Sequence, residues 1–377
     1  MNVIGIVVEY NPFHNGHLYQ INKIKELYPD SIIIVAMSTH FTQRGDVSVL
    51  DKWNKTKIAL DNNIDIVLEI PFVFSNSSAD TFSYASLRML NELNIDILIF
   101  GSESNDIDML KKCAKVQVNN DAFDNKLKEY ISKGYNYPTS ISKCINDLCN
   151  ISIKDSNDLL GVSYIKEIIK NKYNIKPISI KRTNNFLDIE SNDSIISANN
   201  IREKLKNNIV IDKYVPKDVT KLIHMIDENK LFELLKYKII SEKDNLCNYH
   251  LVTEGIENRI FNSAIISNNL SELVENIKTK RFTYNRINRI LINILVGFTK
   301  DDASKFKNLE YIRVLGMSEK GKIYLNKRKK ETSLPIITKF QQYPMLELEL
   351  KASLIYGILI NDNTIYNKEV KNYVIIK

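Results

Sequence analysis

The first half of the chain alternates short apolar runs with segments of helical spacing. Apolar runs rich in β-branched residues predict buried strands at residues 3–8, 31–37, 64–70, 95–100 and 176–180. Between the earlier runs, apolar residues recur every three or four positions, which predicts helices beginning near residues 14, 51 and 77. Strands that alternate with helices are typical of an α/β fold with a doubly wound parallel sheet.

The pattern changes further along the chain. Residues 121–173 are helical in spacing, and beyond residue 204 the alternation of strands and helices stops. Residues 219–235 and 285–295 have apolar positions at spacings of three and four, which predicts helices. We therefore predict two domains, an α/β catalytic domain at residues 1–204 and a mostly helical domain at residues 205–377.

Polar turns follow three of the predicted strands, at residues 9–16, 38–46 and 101–103. In a parallel sheet, ligands bind outside the carboxyl ends of the strands. We therefore expect these three turns to surround one pocket.

The first of these turns contains His14 and His17 in the first turn of a predicted helix. Unpaired N–H groups and the macrodipole make a helix N-terminus an anion site, and two imidazoles on one face would add donors. Gly16 between them would let a base or a phosphate approach the backbone. The pattern favours stabilisation of a nucleotide α-phosphate, whereas a pair of surface histidines or half of a metal site would show the same spacing.

The composition and charge limit the kinds of protein that this chain can be. The 377 residues can form two cores, and 44% hydrophobic with 26% charged residues is ordinary for a globular protein. The formal charge of +7 suits a polyanionic partner without proving one. The four cysteines form no CxxC pair, so we expect reduced thiols in a cytoplasmic protein and no protein-held metal. We find neither a signal peptide nor an apolar stretch of the roughly 18 residues that a membrane span needs.

Residues 5–17, which end in His14-Asn15-Gly16-His17, resemble the HxGH signature of nucleotidyltransferases and class I aminoacyl-tRNA synthetases. The longer string is similar to one family in particular, the bacterial tRNA(Met) cytidine acetate ligases. Residues 38–53 resemble that family's loop of the form SGNFxQRGxP…DKW, and residues 156–164 resemble its PNxxLGxxYL segment with Ser156 in place of Pro. Residues 194–202 resemble the superfamily's SxTxIR element, with Asn199 where Thr is usual. Residues 180–182 match its IKR, but Phe186-Leu187-Asp188 replaces the more usual Tyr-His-Asp.

The resemblance implies a nucleotidyltransferase-like, Rossmann-type sheet that binds ATP. The catalytic residues it implies are His14, His17 and Arg202, which would neutralise phosphate charge. The ATP contacts it implies are Val7, Val8, Glu9, Tyr10, Asn11, Pro12, Phe13, His14, Asn15, Gly16, His17, Leu18, Gly101, Asn157, Arg182 and Thr183.

For several of these residues, a simpler structural role would also explain the sequence. Asn157 would also serve as a helix cap, and Arg202 as a solvent-exposed Arg behind a capped helix. Arg44, in the second polar turn, would clamp a carboxylate or an RNA backbone, or merely pair with a surface Asp.

A basic run at residues 278–289 has five basic residues, two aromatic residues and no acid. Phosphate contacts and base stacking use this composition, and the run resembles the family's KTKRYT…RI.R segment. Residues 311–316 also resemble the family, and a second basic run lies at residues 320–330. Either run could be only a solvated face. The tRNA-binding residues that we predict are Lys278, Lys280, Arg281, Arg286 and Arg289.

The resemblance implies an ATP-dependent ligase. Acetate would attack the ATP α-phosphate to form acetyl-adenylate, and N4 of the wobble cytidine of elongator tRNA(Met) would take the acetyl group. Its partners would be ATP, acetate and tRNA(Met), with Mg²⁺ accompanying ATP. A small-molecule adenylyltransferase is one alternative, although it would not need the basic C-terminal domain. A non-catalytic RNA-binding protein with a vestigial nucleotide site is the other, and the intact His14 and His17 argue against it.

Overall fold

The computed structural model describes residues 1–182, 194–371 and 374–377. The described residues form one mixed sheet whose strands are β1 (Val3–Val8), β2 (Ile32–Ser38), β3 (Ile66–Ile70), β4 (Ile97–Ser102), β5 (Lys176–Lys181), β6 (Ile312–Met317), β7 (Ile336–Ile337) and β8 (Ile375–Ile376). The strand order is β5-β4-β1-β2-β3-β6-β7, and β8 also pairs with β6.

Helices surround this sheet. In the first half they are α1 (Asn15–Leu27), α2 (Lys52–Asp61), α3 (Phe72–Ser75), α4 (Ala79–Glu92), α5 (Ile107–Lys115), α6 (Asp121–Ser132), α7 (Tyr137–Cys149), α8 (Ser156–Lys170) and α9 (Ala198–Lys206). In the second half they are α10 (Glu228–Ser241), α11 (Ile256–Ile266), α12 (Leu270–Ile277), α13 (Tyr284–Val296), α14 (Lys300–Lys305), α15 (Glu319–Arg328), α16 (Pro344–Leu359) and α17 (Ile365–Lys371). Short 3₁₀ helices lie at Thr220–Leu222 and Lys243–Asn248.

A hydrophobic core lies on each face of the sheet, as the alternating side chains of β2 show. Ile32 and Ile34 belong to one core, whereas Ile33 and Val35 belong to the other. Because side chains of a strand point to opposite faces in turn, a run with no polar residue must be covered on both sides. The predicted doubly wound sheet is therefore confirmed.

The five N-terminal strands run parallel, so their carboxyl ends lie along one edge of the sheet. Val8 of β1 is opposite Met37 of β2, and Ser102 of β4 is opposite Lys181 of β5. The polar turns that follow β1, β2 and β4 therefore begin at the same edge. This arrangement places the predicted pocket there.

The second half also contributes strands, which the apolar pattern did not predict. β6 pairs antiparallel with β3, and β7 and β8 pair with β6. Arg313 interrupts the apolar pattern of β6, yet it is buried and bonded to Glu69 and Glu369. The division at residue 204 stays a prediction, since one sheet contains strands from both sides of it.

The helix predicted at residues 219–235 is wrong in its extent. A 3₁₀ helix at Thr220–Leu222 and α10 occupy this region, and Asp227 caps the start of α10. An N-cap residue has extended backbone geometry, so the apolar periodicity continues through a break in the helix. Among the residues that the structure describes, no helix combines the length and apolar character that crossing a membrane requires.

Candidate functional site

A cavity of about 1010 Å³ lies at the carboxyl edge of the parallel strands. All three polar turns reach it, as the presence of Glu9, Gln43 and Gly101 in its wall shows. The predicted ATP-binding residues that line it are Val7, Val8, Glu9, Tyr10, Asn11, His14, Gly16, His17, Gly101, Asn157 and Arg182. The predicted convergence of the turns on one pocket is confirmed.

His14 and His17 form a reciprocal cap at the start of α1. His14 is the N-cap residue, and its Nδ1 accepts a hydrogen bond from the Gly16 N–H at 3.0 Å. His17 Nδ1 accepts from the His14 N–H at 3.2 Å. The two rings lie 3.8 Å apart between centroids. The imidazoles thus bind N–H groups that a helix start otherwise leaves unpaired.

Burial determines the protonation of both rings, and the cap determines which nitrogen holds the proton. Burial, assisted by Arg182 and Arg202, lowers the pKa of His14 to about 3. Burial and the neighbouring His14 hold the pKa of His17 well below its usual value. Both imidazoles are therefore neutral near pH 7, and since Nδ1 accepts, the proton is on Nε2. Each ring can donate one Nε2–H hydrogen bond to a phosphate oxygen, and positive charge must come from other residues.

The position of the His14 ring requires glycine at residue 16. A Cβ at this position would lie 2.8 Å from His14 Cε1 and 2.9 Å from His14 Nδ1. The missing side chain therefore makes room for the capping imidazole. The close approach of a ligand, which the sequence suggested, is a secondary consequence.

Arg182 and Arg202 supply positive charge on the part of the cavity wall near His14. Arg202 of α9 donates to the Asn11 carbonyl at 2.8 Å and to Asp46 at 2.9 Å, and it lines the cavity. Arg182 follows β5, and its buried Nε lies 3.9 Å from Glu103 without a hydrogen bond to any residue that the structure describes. Burial lowers the pKa of Arg182 from its usual high value, but a guanidinium still remains charged near pH 7.

Asn157 belongs to a carboxylate network between β4 and α8. The Glu103 carboxylate accepts from Asn157 Nδ2 and from the Asp158 N–H at 3.0 Å. Asp158 in turn accepts from the Glu103 and Ser104 N–H groups. The N-cap residue of α8 is Asp155, so the capping role considered for Asn157 is wrong. Glu103 and Asp158 were missed as a pair because their contact joins segments 55 residues apart.

Gly101 has open space beside it. A Cβ there would meet the flexible Arg182 side chain at 3.4 Å, which is ordinary contact. The fold therefore does not require glycine at this position, in contrast to Gly161, whose Cβ would lie 2.4 Å from the Phe100 ring.

The loop at residues 39–46, here called the Gln43 loop, is held from both halves of the chain. The Gln43 N–H donates to Glu9 at 2.8 Å, and the Gln43 carbonyl accepts from Arg289 of α13 at 2.9 Å. Gly45, at φ +80°, packs against α13 so closely that a Cβ would lie 2.5 Å from the Arg289 nitrogen. Arg44 lines the cavity and donates to Ser156 at 3.2 Å.

Lys55 was not identified from the sequence. Its fully buried ammonium donates to the carbonyls of Glu9 at 2.8 Å, Ser38 at 3.1 Å and Thr39 at 2.6 Å. Burial lowers the pKa of Lys55 to about 7. The three donors of one ammonium thus join the ends of β1 and β2 beneath the site. The only sequence signal was its place one turn after Asp51 on the predicted helix.

Other predicted ATP-binding residues do not reach the cavity wall. Phe13 is fully buried in a core, and Leu18 packs against it. Asn15 donates to the carbonyls of Ser194 and Lys213, so it anchors the chain around α9. Pro12 also lies outside the wall. Thr183 and the departure at residues 186–188 are outside the residues that the structure describes.

The predicted tRNA-binding residues fall into three groups. Arg281 and Arg286 line the cavity, and both lie near Glu254, at 2.7 and 3.8 Å. Arg289 lines it too, but burial lowers its pKa to about 10 and it holds the Gln43 loop. Lys278 and Lys280 lie outside the wall.

The chain is similar to known proteins over its whole length. The model of the HIGH Nucleotidyl Transferase family matches residues 1–372. The tRNA(Met) cytidine acetate ligase of Clostridium novyi is 37% identical over 98% of each chain, and that of Clostridium acetobutylicum is 36% identical over 95% of this chain and 96% of its own. The crystal structure of apo Thermotoga maritima TmcAL matches with a TM-score of 0.91 and 29% identity, covering 100% of this chain and 99% of the other. The same protein bound with alpha-thio ATP matches with a TM-score of 0.89 and 28% identity, with the same coverage.

Proposed function

The chain belongs to the HIGH nucleotidyl transferase family and, within it, to the tRNA(Met) cytidine acetate ligases, and we propose that it uses ATP to acetylate N4 of the wobble cytidine of tRNA(Met). The observation that carries this proposal is the pair of imidazoles at the start of α1, in a cavity that Arg182 and Arg202 also line. The alpha-thio ATP complex of the Thermotoga relative supports ATP as the nucleotide.

In the first step, an acetate oxygen attacks the α-phosphorus, and the bond from this phosphorus to pyrophosphate breaks. His14 and His17 would donate Nε2–H hydrogen bonds to phosphate oxygens, while Arg182 and Arg202 offset the developing charge. Donors held in place before the reaction need no reorganisation during it. Arg202 would leave Asp46 in part, since one guanidinium has several donors to share.

In the second step, cytidine N4 attacks the acetyl carbonyl carbon. A C–N bond forms, the C–O bond to AMP breaks, and N4 loses a proton. Both reactants must therefore meet in one cavity. Arg281 and Arg286 line the same cavity as His14, which supports entry of the RNA from the side of α13. Lys278 and Lys280 would contact the phosphate backbone outside the cavity.

Mg²⁺ would enter with the triphosphate, whose oxygens are its usual ligands in nucleotide enzymes. Within the described ranges, no group of three or more His, Cys, Asp or Glu side chains is placed to hold a metal ion. A tRNA substrate places the reaction in the cytoplasm.

The test is acetylation of a tRNA(Met) transcript by the purified protein with ATP and labelled acetate. We expect N4-acetylcytidine at the wobble position by mass spectrometry of nucleosides, with one AMP and one pyrophosphate formed for each acetyl group. Omission of ATP and a transcript with uridine at that position are the controls. Adenylation of a small metabolite without tRNA product would favour the adenylyltransferase alternative, and tRNA binding without ATP turnover would favour the non-catalytic one.

A further inference from the structure

Tyr137 is an exposed aromatic side chain inside the wall of the cavity. It is the first residue of α7, is 45% exposed, and lines the same cavity as His14 and Arg286. Within the described part of the chain, its ring stacks on no other aromatic ring, and no Lys or Arg side chain lies over it. A large ring exposed in a concave site is available to a planar ligand.

The ring is also held in place. The Tyr137 hydroxyl donates to Asp80 at 3.0 Å, and the Asp80 carboxylate is ion-paired with Lys166 of α8. This bond anchors the far end of the side chain, while the helix start anchors its backbone. Stacking on a ring that is already ordered costs less conformational entropy than stacking on a mobile one.

The surroundings of Tyr137 suit a nucleobase of an RNA chain. Ile141 follows Tyr137 by one turn of α7, and Leu160 and Leu251 line the same cavity. The neighbouring Asn136 contacts the Lys280 carbonyl at 3.5 Å, so the start of α7 adjoins the basic run. An aromatic platform beside arginines is the combination by which proteins bind unpaired bases of single-stranded RNA.

We propose that Tyr137 is the stacking platform for the cytidine that receives the acetyl group. The inference rests on the proposed function and names the subsite of its second substrate. The cavity volume of about 1010 Å³ is at the upper end for small-molecule sites, which leaves room for a base beside the nucleotide. A base taken out of the RNA stack needs a new stacking partner, and Tyr137 supplies one.

The test compares Tyr137→Ala with Tyr137→Phe, which keeps the ring and loses only the bond to Asp80. Tyr137→Ala should lower kcat/KM for tRNA(Met) by about 10- to 100-fold, because alanine substitution of a base-stacking residue has an effect of this size. Tyr137→Phe should retain most of it. Acetate-dependent ATP–pyrophosphate exchange without tRNA should be unchanged in both variants. Tyr237→Ala, on α10 and 72% exposed outside the cavity wall, is the matched control.

A tRNA(Met) with an abasic site at the target position identifies the stacked base. Wild type and Tyr137→Ala should bind this tRNA equally, whereas they should differ on intact tRNA. A difference that persists on the abasic tRNA would place Tyr137 against another nucleotide and overturn the assignment.

Wild-type kinetics in Tyr137→Ala would also overturn it, as would an equal loss of pyrophosphate exchange and transfer. If Tyr137→Ala does not fold, Tyr137→Leu supplies an apolar side chain without a π face and replaces it. Absence of N4-acetylcytidine with the wild-type protein would instead refute the proposed function, and the binding comparison would still decide the stacking on Tyr137.

Discussion

His14 and His17 each have two tasks that substitutions can separate. Their Nδ1 atoms cap α1, and in the proposed reaction their Nε2–H groups would donate to a phosphate. His14→Asn retains a side-chain acceptor that is favoured at an N-cap, and His17→Gln retains the acceptor of a capping box. We expect both variants to unfold at nearly the wild-type urea concentration. Acetate-dependent pyrophosphate exchange should fall by about 10²–10³ in each, the usual loss for one preorganised donor.

The alanine variants provide the comparison. His14→Ala and His17→Ala should lose the same activity and also about 1 kcal/mol of the free energy of unfolding, since the cap is lost with the donor. Wild-type exchange at saturating ATP in His14→Asn and His17→Gln would refute the phosphate role of the imidazoles.

The depressed pKa of His14 also predicts how stability depends on pH. An unfolded histidine titrates near pH 6.5, whereas native His14 titrates at about pH 3. Between these values the unfolded chain binds one proton more, so the free energy of unfolding falls as the pH is lowered from 6.5 to 3. The slope from this residue is at most about 1.4 kcal/mol per pH unit. Urea unfolding at pH 7.5, 6.5, 5.5 and 4.5 should show a smaller slope in His14→Asn, and equal slopes would contradict the prediction.

Gly101 permits a test of the nucleotide pocket at one position. Gly101→Ala should bind ATP nearly as well as wild type, because a Cβ there only touches Arg182. Gly101→Leu should lose most ATP affinity by filling the strand edge, with little change in thermal stability. Calorimetric titration with ATP measures both variants, and unchanged affinity in Gly101→Leu would place the pocket elsewhere.

At the scale of elements, α13 joins the basic run to the ATP side of the cavity. Arg281 and Arg286 lie at its N-terminal end beside Glu254, whereas Arg289 reaches the Gln43 carbonyl. Asn76 also donates to the Arg289 carbonyl at 3.1 Å. Arg281, just before α13, and Arg286 and Arg289 within it are therefore arginines of two kinds, and a joint substitution of all three would mix their effects.

Separate substitutions should distinguish support of the Gln43 loop from contact with tRNA. Arg289→Ala should slow pyrophosphate exchange in the absence of tRNA, because the Gln43 carbonyl loses its donor and the loop moves. Arg281→Ala with Arg286→Ala should leave that exchange unchanged and lower the salt slope of log tRNA affinity by about 0.7 to 0.9 per lost phosphate contact. Binding at several salt concentrations measures the slope. An unaltered exchange rate in Arg289→Ala would indicate instead that Arg289 contacts the tRNA and is not needed to hold the Gln43 loop.

At the scale of the whole molecule, a buried ionic cluster ties the C-terminal segments to the first half. Lys52 of α2 lies 2.6 Å from Glu69, 3.3 Å from Glu349 and 2.8 Å from Glu369. Arg313 of β6 completes the cluster with Glu69 and Glu369. All five side chains are at most 5% exposed. The cluster spans strands and helices from residue 52 to residue 369, so neither half can form it alone.

Removal of one cation from this cluster should greatly lower the free energy of unfolding. Lys52→Met leaves three buried carboxylates with one cation, and breaking such a cluster typically costs about 3–5 kcal/mol. Lys23→Met, which removes an exposed pair with Glu26, should leave the urea midpoint almost unchanged because solvent screens this pair. Urea unfolding should show one transition in wild type, because the sheet and the cluster belong to both halves. Two separate transitions would instead support independent folding of residues 1–204 and 205–377.

The sequence by itself determined the parallel part of the sheet and the chemistry at its edge. Runs such as Ile32–Ser38 have no polar residue in their interior, and only burial on both faces accommodates such a run. The His14-Asn15-Gly16-His17 string identified its own helix start, because caps depend on residues three or four positions apart. Local patterns of this kind carry their physical cause within a few residues, so reading along the chain detects them.

Only the tertiary structure decided the features that depend on distant partners. Arg313 enters a strand interior because Glu69 and Glu369 surround it, and neither is near it in sequence. Arg289 belongs to a run with the composition of an RNA contact, yet the fold places it against the Gln43 loop, where it donates to a backbone carbonyl. Lys55 donates to carbonyls that follow β1 and β2, and only the fold brings those two segments to its ammonium. The free energy of a buried charge is determined by what surrounds it, and those surroundings are assembled only when the chain folds.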